Sequence, residues 1–137
     1  MGGPTLKYLL DTHTWIWWNM NPDKLSRKVY ELLEGIRGNE SLFLSAISIW
    51  EFCKLIELNR LSISCDGESW INEALDDPLL NLVPLTPKIA WQSTKLPQPF
   101  HRDPGDQIIV ATAREIKATV LTKDSLVQQY AHVHSLW

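Results

Sequence analysis

Short apolar runs alternate along this chain with longer stretches in which apolar residues recur every three or four positions. The short runs cover residues 6–10, 42–45, 82–85 and 119–122, and a fifth candidate covers 132–136. Each run is nearly continuous in apolar character, which is typical of strands that are buried on both faces. The pattern therefore predicts four or five short strands.

The longer stretches predict helices over residues 22–33, 46–58, 68–75, 87–93, 104–116 and 125–130. Pro104 would take a first helical position, where its missing N–H costs nothing, and Ser26 is a candidate N-cap. Strands separated by helices indicate βαβ units joined by right-handed crossovers. We therefore expect an α/β fold, a three-layer α/β/α sandwich with a central parallel sheet.

The length of 137 residues fits a single domain over 1–137. We interpret residues 1–5 as a leader that is either disordered or vector-derived. No stretch approaches the ~20 apolar residues of a membrane-spanning helix, and no signal peptide is visible. Cys53 and Cys65 form neither a CxxC pair nor a disulfide framework. We therefore expect reduced thiols in a cytoplasmic protein without a membrane partner.

Four acidic residues fall near the ends of the predicted strands. Asp11 directly follows the first strand, and Asp124 follows the fourth. Glu51 lies in the helix after the second strand, and Asp106 lies at the start of the helix that begins at Pro104. Since ligands of parallel α/β sheets bind at the carboxyl ends of the strands, we expect these acids to converge at one edge.

Each acid also has a purely structural explanation. Asp11, Asp103 and Asp124 precede predicted helices and are typical N-caps, while Asp106 falls in a first turn. Glu51 lies on a polar stripe with three-residue spacing, which by itself indicates a solvated helix face. The other members of that stripe are Ser48, Lys54 and Glu57.

Taken together, the acids indicate a cation. Carboxylates packed within a few ångströms repel each other and raise each other's pKa unless a cation lies between them. Mg²⁺ commonly binds a few carboxylates together with water and substrate phosphate. The chain has no thiolate or histidine spacing for zinc, and it contains no P-loop, GxGxxG, GxSxG or HExxH motif.

These residues and their neighbours resemble a known family. Leu-Asp-Thr-His, Ser-Ala-Ile-Ser-Ile-Trp-Glu, Asp-Pro-Gly-Asp-Gln-Ile-Ile-Val-Ala-Thr-Ala and Leu-Thr-Lys-Asp follow one another in the chain. This order resembles a PIN domain and, more narrowly, the VapC-type toxin ribonucleases of prokaryotic toxin–antitoxin pairs. The likeness runs from about Lys7 to Trp137, and the family's α/β/α sandwich agrees with the fold predicted above.

The resemblance implies a catalytic and metal-binding quartet made of Asp11, Glu51, Asp106 and Asp124. By resemblance, Asp11 and Asp106 would bind Mg²⁺ or Mn²⁺ directly. Glu51 and Asp124 would act through water or hold a second ion, so that one or two ions are expected. The implied activity is a metal-dependent endoribonuclease that hydrolyses phosphodiester bonds of RNA.

Further residues beside the quartet receive supporting roles by resemblance. Asp103 stands where relatives often carry an additional acid, and Thr12 and Thr122 would orient the quartet by hydrogen bonds. Two positions depart from the family, because relatives often have a bulky residue in place of Gly105 and a basic one in place of Gln107. These departures concern substrate contacts rather than the metal ligands.

The formal charge of −3 does not exclude an RNA substrate. Without the four site acids, thirteen basic residues would face twelve acidic ones, so the rest of the molecule is close to neutral. A protein-wide basic field is absent, which favours recognition by a local patch. His101, Arg102 and Lys123 border the site in sequence and are the candidates for contacting RNA.

The resemblance also implies partners. A cognate antitoxin would lay an apolar helical segment in a groove, and the family commonly forms homodimers. Candidates to line that groove are Trp15, Trp17, Trp18 and Trp50, of which we expect at least two to pack in the core instead.

Two other classes of protein were weighed against the nuclease. A receiver-like phosphoacceptor domain would need an aspartate at the end of a middle strand, and Ser45 stands there instead. A catalytically silent PIN-like module that binds RNA or protein is the remaining alternative. All four acids are present, so the sequence gives no reason to prefer it.

Overall fold

The computed structural model describes residues 6–98 and 100–137. The predicted leader, residues 1–5, therefore lies outside the described residues. Five parallel strands form one sheet in the order β3-β2-β1-β4-β5. The strands are β1 (Leu6–Leu10), β2 (Glu40–Ser45), β3 (Leu80–Val83), β4 (Thr119–Leu121) and β5 (Ser135–Leu136).

Seven α-helices connect and cover these strands within the described ranges. They are α1 (Thr12–Met20), α2 (Arg27–Glu34), α3 (Ala46–Glu57), α4 (Gly67–Leu75), α5 (Pro87–Ser93), α6 (Pro104–Ile116) and α7 (Ser125–Gln129). A serine, threonine or aspartate caps the N-terminus of every one, accepting a hydrogen bond from a backbone N–H of the first turn. Such caps each contribute ~1 kcal/mol to helix stability. None of these helices is long and apolar enough to cross a membrane.

Two hydrophobic clusters lie on opposite faces of the sheet, because neighbouring residues of a strand point to opposite sides. Leu10 of β1 packs with Trp15 of α1 and Phe52 of α3 in one cluster. Leu9, the preceding residue, packs with Ile109 of α6 in the other. The helices thus form an outer layer on each face, and the predicted three-layer α/β/α class is confirmed.

The strand order places a crevice at the carboxyl ends of β1 and β4. From β1 the chain moves outward in one direction to β2 and β3, and β4 and β5 lie on the other side of β1. A parallel sheet binds its ligands where the strand order reverses in this way. Asp11 comes directly after β1, and Asp124 comes three residues after the end of β4.

The prediction of one helix over 22–33 is wrong. Pro22–Lys24 form a short 3-10 helix, and the chain leaves helical geometry at Leu25. Ser26 is the N-cap of α2, as predicted, because its side chain accepts a hydrogen bond from the N–H of Val29. Leu25 is buried in the core, so a break that moves this side chain inward is favoured over a continuous helix.

The third strand is also displaced from its predicted position. We expected residues 82–85, whereas β3 ends at Val83. Pro84 follows, and a proline cannot donate a hydrogen bond to a neighbouring strand. Since β3 is an edge strand, its apolar residues are not all buried, and Leu82 is 48% exposed. Leu85, which follows the strand, is 47% exposed. The fifth strand is shorter than the run that predicted it.

The aromatic cluster beneath the sheet provides a test of this packing. Phe52 is fully buried and stacks on Trp70, with ring centroids 4.2 Å apart. We expect Phe52→Ala to lower the free energy of unfolding by about 3–5 kcal/mol, because it leaves a cavity that the rigid sheet cannot close. Trp91→Ala is the matched control: its ring is 63% exposed, so its loss should cost about 0.5 kcal/mol or less. Urea denaturation measures both variants. An equal loss of unfolding free energy in the two would contradict the packing of Phe52 in the core.

Candidate functional site

A cavity of about 570 Å³ opens at the carboxyl edge of the sheet, and all four predicted acids line it: Asp11, Glu51, Asp106 and Asp124. The remaining lining is mixed. It contains basic side chains, aromatic rings and a wall of aliphatic side chains from α3 and the turn that follows. The expected convergence of the acids therefore follows from the topology of the sheet.

Asp11 is the most buried of the four, with 4% of its surface exposed. Both of its carboxylate oxygens accept hydrogen bonds. The backbone N–H of Thr12 donates to Oδ1 over 2.8 Å, and the hydroxyl of Thr122 donates to Oδ2 over 2.6 Å. Asp11 is thus both the N-cap of α1 and a fixed negative charge at the floor of the cavity.

Thr122 links two of the acids. While its hydroxyl donates to Asp11, its oxygen accepts the backbone N–H of Asp124 over 2.9 Å. Asp124 Oδ1 in turn accepts the N–H groups of Leu126 and Val127, so Asp124 caps α7. The capping role predicted for Asp124 is confirmed, and the same side chain lines the cavity.

Glu51 is held by polar residues of the α1 and α3 helices. Its Oε1 accepts a hydrogen bond from the hydroxyl of Thr12, whose oxygen lies 2.8 Å from Ser48 Oγ. Ser48 is fully buried, so the interpretation of this stripe as a solvated face is wrong at this position. Burial is the main cause that raises the pKa of Glu51; Asp11 raises it further, and the Thr12 hydrogen bond opposes the rise.

Gly105 makes room for the Glu51 carboxylate. A Cβ atom at residue 105 would lie 2.2 Å from Glu51 Oε2 and 3.3 Å from Asp103 Oδ1. Asp103 caps α6 by accepting the N–H of Asp106 over 3.0 Å, as predicted. A larger residue at position 105 must therefore push the Glu51 carboxylate aside.

Asp106 carries the largest electrostatic perturbation of the site. Burial and then the neighbouring charges of Asp11, Asp103, Asp124 and Glu51 raise its pKa to about 8. Every one of these charges is negative, so the proton of Asp106 is the means by which the folded chain relieves the repulsion. A divalent cation would relieve it in the same way.

The predicted RNA-contacting residues are placed differently from one another. His101 Nε2 lies 3.0 Å from Asp106 Oδ2, which brings His101 into the site. Lys123 lies beside the acids, where its backbone N–H donates to a histidine discussed next. Arg102 is exposed, and none of the three residues is among those that line the 570 Å³ cavity.

His13 is a site residue that the sequence reasoning missed. Its Nε2 accepts the backbone N–H of Lys123 over 3.0 Å, so the ring proton resides on Nδ1, which lies 3.7 Å from Asp11 Oδ2. Burial lowers the pKa of His13, although the charges of Asp11 and Asp124 oppose this shift. The net effect is to favour the neutral form of the ring. The sequence offered one local signal, the position of His13 two residues after Asp11. The residue whose backbone binds the ring, Lys123, is 110 residues away in the chain.

The donors that face the cavity suit a hard cation. They are carboxylate and hydroxyl oxygens, the ligands that Mg²⁺ and Mn²⁺ prefer. Among the described residues, no three His, Cys, Asp or Glu side chains are arranged to hold a metal ion as they stand. A cation shared by the acids therefore requires their carboxylates to move closer together.

The chain matches the PIN domain family over residues 8–133. It is 32% identical over 124 residues to the ribonuclease VapC22 of Mycobacterium tuberculosis (strain ATCC 25618 / H37Rv), covering 90% of this chain and 92% of that relative. The family match therefore covers most of the α/β sandwich and all four acids at the carboxyl edge of its sheet. This chain belongs to the PIN domain family, as its motifs indicated.

Solved structures of toxin–antitoxin complexes share the fold. VapBC2 from Rickettsia felis, bound to a DNA fragment from its promoter, has a TM-score of 0.73 at 16% identity, covering 96% of this chain and 99% of that chain. FitAcB from Neisseria gonorrhoeae has a TM-score of 0.67 at 22% identity, covering 95% and 96%. At these identities the likeness concerns the fold.

The raised pKa of Asp106 predicts how stability depends on pH in the presence of EDTA. Between its ordinary value of 3.8 and about 8, the folded chain retains a proton that the unfolded chain has released. The free energy of unfolding contributed by this group therefore falls as the pH rises through that window. Asp106→Asn removes the titration, so the melting temperature of the variant minus that of the wild type should increase from pH 4 to pH 8. A difference that is constant or shrinks with pH would contradict the electrostatic account.

The contact between Gly105 and Glu51 predicts a coupled pair. In a helix, glycine is ordinarily about 0.5–1 kcal/mol less stable than alanine. We expect Gly105→Ala to yield that gain only when Glu51 is replaced by alanine, and to be neutral or destabilising when Glu51 is present. Urea denaturation of the two single variants and the double variant measures the coupling. An identical effect of Gly105→Ala in both backgrounds would show that the contact has no energetic weight.

Proposed function

We propose that this protein is a metal-dependent endoribonuclease that hydrolyses RNA phosphodiester bonds, and that it is the toxin of a toxin–antitoxin pair. The observation that carries the proposal is the convergence of four carboxylates on one cavity, where burial and then the neighbouring negative charges raise the pKa of Asp106 to about 8. Membership of the PIN family, the sequence likeness to a ribonuclease and the fold likeness to toxin–antitoxin complexes support it.

In this proposal Asp11 and Asp106 bind Mg²⁺ or Mn²⁺ directly, while Glu51 and Asp124 act through water or bind a second ion. The metal would lower the pKa of a bound water and neutralise charge on the phosphate. Asp11 suits a direct ligand, because two hydrogen bonds hold its carboxylate in place before any ion arrives. Asp106 releases its proton as it takes up the cation.

The neighbouring polar residues position the acids. Thr122 holds Asp11 and fixes the backbone of Asp124, and Thr12 orients Glu51. Asp103 supports the site indirectly, because it caps the helix that presents Asp106 and adds a further negative charge beside it. We propose these three residues as positioning groups.

We propose that RNA approaches past the basic and imidazole groups beside the acids, with His101 and Lys123 nearest to them and Arg102 further out. The contact of His101 with Asp106 supports the first of these assignments. Because the isolated site is strongly acidic, phosphate binding requires that a cation and these groups offset its negative charge.

We propose that the antitoxin occupies the aliphatic wall of the same cavity. Leu55, Leu58 and Leu61 line this wall together with Ile16, and Leu58 is 52% exposed. An apolar helical segment seated on it would cover the acids and exclude RNA. Trp50, 57% exposed, lines the cavity as expected, whereas Trp15 is fully buried in the core.

A homodimer acting in the cytoplasm completes the proposal. The exposed apolar residues around the edge strand β3 offer a surface for a second copy; they are Leu79, Leu82 and Leu85. Cys53 and Cys65 are free and exposed, which suits a reducing compartment.

Cleavage of a total RNA pool tests the activity. We expect discrete fragments with Mg²⁺ or Mn²⁺, none with EDTA, and a loss of about 10³-fold or more in Asp11→Asn, because the metal contributes several kcal/mol to the transition state. Asp76→Asn is the matched control: this exposed acid lies at the end of α4, away from the cavity, and its replacement should leave the rate unchanged.

Asp11→Asn should remain folded, since an asparagine can still accept the N–H of Thr12 and its amide can donate to Thr122. A folded wild type that binds Mn²⁺ without cutting any RNA would contradict the proposed activity and favour a catalytically silent module. Equal loss of activity in Asp76→Asn would show that the effect is not specific to the site.

A further inference from the structure

Trp17 lies beside the four acids, and its ring packs partly against the core and partly faces the cavity. It lies one helical turn after His13 on α1 and lines the 570 Å³ cavity. It also lines a smaller cavity of about 390 Å³ whose other lining residues are His13, Lys123 and Asp124. The indole is only partly buried, so it forms a surface shared by these two hollows.

Two ammonium groups lie near this ring. Lys24 Nζ lies over the ring, 5.7 Å from its centroid, and Lys123 Nζ lies over it at 5.9 Å. An ammonium group over the ring face has to move toward a phosphate when a base stacks there. They come from separate parts of the chain, the short 3-10 helix and the loop after β4. An aromatic ring flanked by cations is the combination that single-stranded nucleic acids recognise, because bases stack on the ring and phosphates bind the cations.

The neighbouring rings hold the indole without stacking on it. The His13 ring lies 4.9 Å away at an interplanar angle of 52°, and the Trp137 ring lies 6.0 Å away at 61°. Both contacts are inclined, and His13 is itself fixed by the N–H of Lys123. The orientation of Trp17 is therefore set before any ligand binds, which lowers the entropic cost of stacking.

The lining of the smaller cavity distinguishes a nucleotide from a peptide. It consists of an indole, an imidazole, an ammonium group and a carboxylate, with no aliphatic side chain. The aliphatic wall proposed for the antitoxin is formed by α3 and the turn after it. A ligand that binds at Trp17 is thus recognised by stacking and charge rather than by aliphatic packing.

We propose that Trp17, flanked by Lys24 and Lys123, stacks an unpaired base of single-stranded RNA next to the phosphodiester bond that the acids attack. This inference rests on the proposed ribonuclease function and assigns to its site a residue that positions the substrate. The two lysines contact the phosphates on either side of the stacked base. A base within a duplex is already stacked on its neighbours, so a double-stranded substrate cannot use this ring in the same way.

The test measures binding separately from cleavage. In a Glu51→Gln background with Mg²⁺, which keeps the proposed direct ligands Asp11 and Asp106, fluorescence anisotropy follows the binding of a short labelled single-stranded oligoribonucleotide of mixed sequence. We expect Trp17→Leu to weaken binding about 10-fold or more, since stacking on an aromatic ring contributes ~1–3 kcal/mol per base. Trp17→Phe should restore most of the affinity, because it keeps an aromatic face.

A matched control comes from elsewhere on the surface. Trp91 also has a lysine over its ring, with Lys95 Nζ 4.9 Å from the centroid, but it is not among the residues that line either cavity. Trp91→Leu should leave the affinity unchanged. Lys24→Gln and Lys123→Gln should each reduce the slope of log affinity against log salt by about 0.7, the value expected per phosphate contact of a single strand.

Three results would overturn the inference. The first is unchanged RNA binding by a folded Trp17→Leu variant, the second is an equal loss of affinity in Trp17→Leu and Trp91→Leu, and the third is equal affinity for duplex and single-stranded RNA. If Trp17→Leu does not fold, failure of the lysine variants to change the salt dependence overturns it. If the protein cleaves RNA equally well with and without Trp17, the proposed function stands and the role of Trp17 fails. If RNA binding depends on Trp17 but no RNA is cleaved, the proposed function fails and the RNA-binding surface stands.

Discussion

Repulsion among buried carboxylates is the constraint on which the rest of this molecule depends. The parallel sheet brings Asp11 and Asp124 to one edge, and α3 and α6 add Glu51 and Asp106. In the unfolded chain, this repulsion would keep the four carboxylates apart. Here the sheet and its two hydrophobic cores hold them together, so the free energy of apolar burial offsets the electrostatic cost.

The surrounding polar contacts reduce this cost without removing the charges. Thr122 and the N-terminal N–H groups of α1 stabilise the charge on Asp11, and the first turn of α7 does so for Asp124. Helix N-termini favour negative charge because their N–H groups are unpaired and point outward. The structural explanation of these aspartates is therefore compatible with the proposed catalytic one, because the hydrogen bonds that cap the helices also hold carboxylate oxygens at the cavity.

The parts that sequence reasoning could predict are those with local signals. Asp103 and Pro104 mark the start of α6, and Asp11 directly follows a continuous apolar run, so the α/β class and the expected convergence of the acids follow from short segments of sequence. These signals are strong because capping and strand burial depend on neighbouring residues in the chain. The prediction failed at Leu25, where burial in the distant core interrupts a helix that local pattern favours.

Contacts between distant residues could not be predicted in this way. The fit of Gly105 against Glu51 depends on how α6 packs against α3. The orientation of the His13 ring depends on the backbone N–H of Lys123. The placement of Trp17 between two cavities depends likewise on loops that meet only in the folded chain. A sequence pattern identifies which residues carry the chemistry, whereas these contacts determine which atoms can reach the substrate.

The central claim is that the four acids share a cation, and calorimetric unfolding with and without Mn²⁺ tests it most directly. In EDTA, Asp11→Asn should melt at the same temperature as the wild type or above it, because one buried charge has been removed. In Mn²⁺ the order should reverse, since only the wild type gains the stability of a tightly bound ion. A melting order that is the same in both conditions would contradict the claim.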